Sequence, residues 1–285
     1  MGPTLSLTVP TTFGDVPLEL DARGDGRAVV LLHGGAGPGS VTGFADLLAA
    51  DTGSRVIVPT HPGFAGTARP SALTSIAGLA EVYAGLLDAL LLKDAIVVGN
   101  SMGGWIAAEL ALRHPPRLAG IALVNAVGIE VDDHPVNTGI PPAELAAHSW
   151  HDPSKAPNLD PESLPPDARE EFLADVAALS LYGGSMADPA LRPRLAEVDV
   201  PALVLWGEAD RIVDAGYGRA YAAAMPFGRF ELLPRTGHVP QLETPELLLA
   251  ALRPFVAGGS VRGRGAWVPV DSFEQIYEPR GILGG

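Results

Sequence analysis

Gly99-Asn100-Ser101-Met102-Gly103 stands between an apolar β-branched run, Ala95-Ile96-Val97-Val98, and the helical pattern Trp105-Ile106-Ala107-Ala108-Glu109-Leu110-Ala111-Leu112. The chain holds 34 glycines, so the five residues alone recur by chance. Their setting makes them specific: a strand, a serine flanked by glycines, then a helix that Pro115-Pro116 stops. A serine hydroxyl is a poor nucleophile at neutral pH. It must be exposed, deprotonated on demand and placed beside donors for an oxyanion. A sharp strand-to-helix turn exposes it, and glycines two residues to either side remove the Cβ clashes of such a turn. Met102-Gly103-Gly104 supplies the close-packed first helical turn.

Outward from this turn, apolar runs alternate with helical periodicity, the mark of βαβ units and a mainly parallel sheet. Strands are expected at Arg27–Leu32, Arg55–Pro59, Ala95–Val98, Ile121–Asn125, Ala202–Trp206 and Arg229–Leu233. Leu5–Val9 and Leu18–Asp21 are expected to form an antiparallel edge. Ile76, Leu79, Tyr83, Leu86, Leu87 and Leu90 predict an amphipathic helix over Ser75–Leu92. A last helix is expected from Pro245 to Val256, with Thr244 as its N-cap. Residues 129–197 break the strand rhythm with Pro, Asp and Glu, and Pro166–Leu181 reads as helix. The expected organisation is a core of 1–128 and 198–257, a helical cap of 129–197, and a tail of 258–285. That tail reads as a linker followed by a docking or disordered segment.

Composition narrows the function. No run of about 18 apolar residues occurs, which argues against a membrane span. The first fifteen residues lack a secretory pattern, and with no cysteine the expected location is cytoplasmic. Net charge is −14, so nucleic acid and anionic membranes are poor partners, and a small-molecule substrate is expected. Oligomeric state is not legible. Between Glu130 and Asp175, eleven acidic residues stand against Lys155 and Arg169. Neither phosphate-binding glycine motif is present. His148, His151 and Asp152 are spaced to share a helix face, yet such local sets are usually surface residues, so no metal site is expected.

A serine nucleophile needs a base, a group to orient that base, and N–H donors. Asp210 lies just after the Ala202–Trp206 strand, 109 residues beyond Ser101, and His238 follows the next strand 28 residues later. His33-Gly34-Gly35-Ala36-Gly37-Pro38-Gly39 leaves the Val29–Leu32 strand as a loop able to turn an N–H towards the serine. The expected site is therefore Ser101, Asp210 and His238, with the Gly35 and Met102 amides as an oxyanion hole and His33 holding the loop.

These pieces, with Pro62-Gly63-Phe64-Ala65-Gly66, resemble the α/β-hydrolase superfamily over roughly residues 10–257. The order serine, acid, histidine is the one expected there. The resemblance implies an α/β fold with an eight-stranded, mostly parallel sheet flanked by helices, a helical cap insertion, and no cofactor. It also favours Asp210, at the strand end, over Glu208 and Asp214. The simplest activity it implies is hydrolysis of a small or medium carboxylic ester. Gly37-Pro38-Gly39 and Gly99–Gly104 also resemble carbon–carbon bond hydrolases of ring-fission products, although Val239-Pro240-Gln241 departs from the Trp common after their histidine. Proline-iminopeptidase-like, perhydrolase and non-catalytic receptor roles remain open on the same fold.

Overall fold

The computed structural model describes residues 4–157 and 160–258. The expected 258–285 tail therefore lies outside the described residues beyond Gly258. The strands are β1 (Thr4–Thr11), β2 (Gly14–Arg23), β3 (Ala28–Leu32), β4 (Arg55–Pro59), β5 (Ala95–Asn100), β6 (Leu118–Val124), β7 (Ala202–Gly207) and β8 (Gly228–Leu233). They form one eight-stranded sheet in the order β1-β2-β4-β3-β5-β6-β7-β8. From β4 to β8 every pairing is parallel, while β1–β2 and β2–β4 are antiparallel.

Helices cover both faces: α1 (Gly39–Thr52), α2 (Ile76–Ala89), α3 (Met102–Ala111), α7 (Ala215–Ala223), α8 (Pro240–Glu243) and α9 (Pro245–Ala257). Three more, α4 (Pro142–Ser149), α5 (Pro166–Gly183) and α6 (Leu191–Arg194), belong to the segment between β6 and β7. Because strand side chains alternate, continuous apolar runs serve two cores. Val30, Leu32, Val97, Ile121, Leu123, Val204 and Trp206 pack in the larger core, with α2, α3 and α7. Val29, Leu31, Ile96, Val98, Ala122, Val124, Leu203 and Leu205 pack in the other, with α1 and α9.

Several expected elements change at their edges, as where the helix expected over Ser75–Leu92 ends at Ala89 and the Leu18–Asp21 strand runs from Gly14 to Arg23, and three of the changes have a visible cause. β6 begins at Leu118 rather than Ile121, because the β5 pairing shifts register at Ala95/Ile96 and draws Leu118 into the sheet. It ends at Val124, since Asn125 turns to φ 49° and leaves the extended region. Thr244 does precede α9, but its hydroxyl bonds to Thr236 Oγ1 at 2.8 Å and caps nothing. Ser75, by contrast, accepts the Gly78 N–H at 3.1 Å and starts α2 as a true N-cap.

The order of strands reverses around β3, which pairs with β4 on one side and β5 on the other. α/β sheets open a crevice at the strands' carboxyl ends at such a point. The His33 loop leaves β3 there and Ser101 leaves β5. Behind it, Glu109 of α3 is buried and accepts from Nη1 and Nη2 of the Arg194 guanidinium at 3.0 and 2.7 Å. This pair ties the end of the β6–β7 segment to the helix that carries the turn. Arg194→Ala should lower the unfolding free energy by about 2 kcal/mol in urea titrations. That is less than a fully buried pair, because the arginine side chain is 42% exposed.

Candidate active site

Ser101 sits at φ 53°, ψ −117°, a conformation an L-residue adopts only when its surroundings impose it. The imposition is visible. A Cβ on Gly99 would lie 2.1 Å from Gly103 O, and one on Gly103 would lie 2.4 Å from Leu32 O. Only glycine lets α3 start this close to β3 and β5. The Ser101 N–H donates to Val124 O at 2.9 Å, and its carbonyl accepts Gly104 and Trp105 N–H at 3.0 and 3.2 Å. The hydroxyl makes no hydrogen bond among the described residues. The same holds for the Gly35 and Met102 amides, and Met102 opens α3, where helix N–H groups lack intrahelical partners.

Asp210 and His238 are brought together. His238 Nδ1 donates to Asp210 Oδ2 at 2.8 Å, which leaves Nε2 as the lone-pair nitrogen. The carboxylate is buried and fully engaged. Asn125 Nδ2 donates to Oδ2 at 2.6 Å, and the Ile212 and Val213 amides donate to Oδ1 at 2.8 and 3.1 Å. The His238 backbone is held against Ser101's neighbour, since Asn100 Nδ2 donates to His238 O at 3.0 Å. Gln241 in turn donates to Asn100 Oδ1 at 3.1 Å. No hydrogen bond joins Ser101 to His238 here; such contacts are often long before substrate arrives.

The rival acids are spent elsewhere. Glu208 accepts the Arg235 N–H, and Asp214 caps α7 and meets His134. His148 donates to Glu144 O, and among the described residues no group of three or more His, Asp or Glu side chains is placed to hold a metal.

His33 does support its loop, through a network the sequence does not announce. Its Nδ1 donates to Gly34 O at 2.8 Å, and its Nε2 accepts the His61 N–H at 3.1 Å. His61 Nε2 donates to His33 O at 2.9 Å, which leaves its Nδ1 to accept the Tyr83 hydroxyl. Each ring nitrogen therefore has a defined role, and both rings are neutral. Burial pushes the His33 pKa well below the usual histidine value and brings His61 down to about 4.

Helix α5 covers the loop. A Cβ on Gly35 would meet Leu179 Cδ2 at 2.6 Å, and Tyr182 donates to Pro62 O at 2.8 Å. Among the large apolar residues of the β6–β7 segment, Trp150 and Tyr182 are buried, Phe172 and Met186 half-buried, and Leu181 exposed.

Residues 29–251 match the alpha/beta hydrolase family, and the chain belongs to it. The chain is 28% identical over 274 residues to a 2-hydroxy-6-oxo-6-phenylhexa-2,4-dienoate hydrolase of Burkholderia cepacia, covering 85% of this chain and 92% of that one. It is 32% identical over 245 residues to a 2-hydroxy-6-oxononadienedioate/2-hydroxy-6-oxononatrienedioate hydrolase of Burkholderia vietnamiensis, covering 77% and 83%. A solved N-acyl homoserine lactone degrading enzyme is 26% identical with a TM-score of 0.65, over 87% of this chain and all of that one. The protein is thus a hydrolase on the α/β-hydrolase fold.

Proposed function

We propose that this protein is a serine hydrolase that cleaves small or medium carboxylic esters through an acyl-enzyme. The observation that carries the reading is the Asp210–His238 hydrogen bond, which directs the neutral ring's proton to Nδ1 and turns the Nε2 lone pair outward on a loop held beside the Ser101 turn. Nε2 takes the Ser101 proton as Oγ attacks the acyl carbon, and the carbonyl electrons move onto oxygen. The Gly35 and Met102 amides, without other acceptors, hold that oxyanion. His238 then gives its proton to the departing alkoxide, and Asp210 stabilises the transient imidazolium. Water repeats the sequence on the acyl-enzyme and releases the acid. The 129–197 segment acts as the cap over this site.

Carbon–carbon bond hydrolysis is the second reading, favoured by the dienoate hydrolases the chain is similar to. Their named substrates are carboxylates. In this chain Asp175 of α5 faces the His33–Gly39 glycine loop, its Oδ1 accepting the Ala65 N–H at 2.8 Å and its Oδ2 lying 3.2 Å from where a Gly37 Cβ would stand. An acid beside the loop that carries the proposed Gly35 donor disfavours an anionic substrate and supports an uncharged ester.

The test is turnover of p-nitrophenyl esters of increasing acyl length, with Ser101→Ala alongside. Ester turnover lost in the variant supports the reading, and the length optimum sizes the pocket. Turnover on ring-fission dienones alone favours the second reading, and hydrolysis that survives in Ser101→Ala sinks both.

A further inference from the structure

The loops bearing Asp210 and His238 share one support. α4 ends at Ser149, and the last carbonyls of a helix have no partner within it. Here they serve both loops. The Arg211 N–H donates to His148 O at 3.0 Å, and the His238 N–H donates to Ser149 O at 2.7 Å. Arg211 Nη1 adds a bond to Ala147 O at 2.8 Å. The chain then continues into His151 and Asp152, whose amides both turn to one side chain. Glu243 Oε2 accepts the His151 N–H at 3.1 Å, and Oε1 accepts the Asp152 N–H at 2.9 Å. Glu243 Oε2 also accepts the Gly237 N–H at 2.7 Å.

We propose that Glu243 is a positioning residue, a latch that fixes the His238 loop against residues 148–152 and so sets where the imidazole stands. The inference rests on the Ser101 hydrolase reading. The peptide around His238 is held from three directions: its N–H by Ser149, its carbonyl by Asn100, and the preceding N–H by Glu243. Of these three contacts, only the Glu243 carboxylate joins both the histidine loop and the β6–β7 segment through a side chain. Its bonds are all to backbone N–H groups. Arg235 and Lys155 line the same cavity, yet no ion pair to Glu243 forms among the described residues. The carboxylate therefore works as an acceptor of N–H groups. A misplacement of about 1 Å in a reacting group can cost 100-fold in rate, which gives the latch its leverage.

Glu243 is half-buried beside an open cavity of about 510 Å³, so water can reach the three amides when the side chain is changed. Substitutions should consequently fold, and their cost should be one of position. The experiment measures kcat per active site, with sites counted by fluorophosphonate titration, so that loss of folded protein does not register. Glu243→Leu should lower kcat per site at least tenfold and leave KM within about twofold. Glu243→Gln keeps an acceptor oxygen at full reach for the His151 and Gly237 N–H groups and gives up only the Asp152 N–H to water, and should stay within about threefold of the wild type. Glu243→Asp keeps the charge but draws it back by one methylene, and should resemble Leu. If Glu243→Leu gives no folded protein, the Gln and Asp variants carry the comparison. A per-site kcat for Leu or Asp within twofold of the wild type overturns the latch, as does a Gln variant no better than Leu or Asp. Wild-type protein without Ser101-dependent labelling and turnover fails the hydrolase reading itself, and the latch with it.

Discussion

Asp210→Asn should lower kcat for ester hydrolysis by about four orders of magnitude while leaving the protein folded. The argument follows from the donors around the carboxylate. Oδ1 accepts two backbone amides, Ile212 and Val213, which cannot turn away. The amide oxygen of the variant must therefore occupy that place, and its NH2 must take the place of Oδ2. There it faces His238 Nδ1, which now has to present its lone pair and carry its proton on Nε2. The nitrogen that should deprotonate Ser101 is then already protonated. The second N–H of the new amide is accommodated, because Asn125 Oδ1 is buried without a partner among the described residues and a flip of that side chain supplies an acceptor. The melting temperature should move little, and near-wild-type kcat in a folded Asp210→Asn protein would remove Asp210 from the mechanism.

The second large effect is on stability in mild acid. His61 is fully buried and neutral in the fold, with its pKa lowered to about 4 against 6.5 for a free histidine, chiefly by desolvation. Its folded pKa is depressed, so the unfolded chain binds the proton first as pH falls. Stability is complete above pH 6.5, declines below it, and levels off for this group below pH 4. The full loss from His61 is about 3 kcal/mol, and His33 acts in the same direction. Urea unfolding at pH 7.5 and 4.5 reads it. His61→Gln provides the control, since an amide can donate to His33 O and accept from Tyr83 without titrating. The variant should show a shallower loss between those pH values. An equal loss in both proteins would mean that carboxylates, rather than the buried imidazole, govern acid sensitivity.

The parts of this structure legible in the sequence are those written in short spacing. The β5–Ser101–α3 turn needs glycines at fixed offsets, and the buried strands read as unbroken apolar runs. Asp210 is preferred over Glu208 and Asp214 by its strand-end position in the family resemblance, and the structure gives the other two their own tasks, one at a turn and one at a helix start. The residues not legible in the sequence act across long separations. Asn125 reads as the last residue of a strand, yet its amide reaches Asp210, 85 positions away. Glu243 reads as a surface acid ahead of a helix, and two of its three partners lie 92 and 91 residues upstream. His61 reads as a loop histidine until β3 and β4 pair and bury it under Tyr83. Thr244 misled for the opposite reason: its local signature was correct for a cap, but a hydroxyl eight residues back competed successfully for its side chain.

Strand order has a consequence for how activity appears in time. The groups proposed for catalysis leave β3, β5, β7 and β8, and β8 occupies one border of the sheet. Together they span the sheet from β3 to that border. A chain returning from denaturant can regain helical and sheet signals while its last strand is still searching for β7. Recovered ester turnover should then trail recovered circular dichroism, which makes enzymatic rate a reporter of the final docking event in folding.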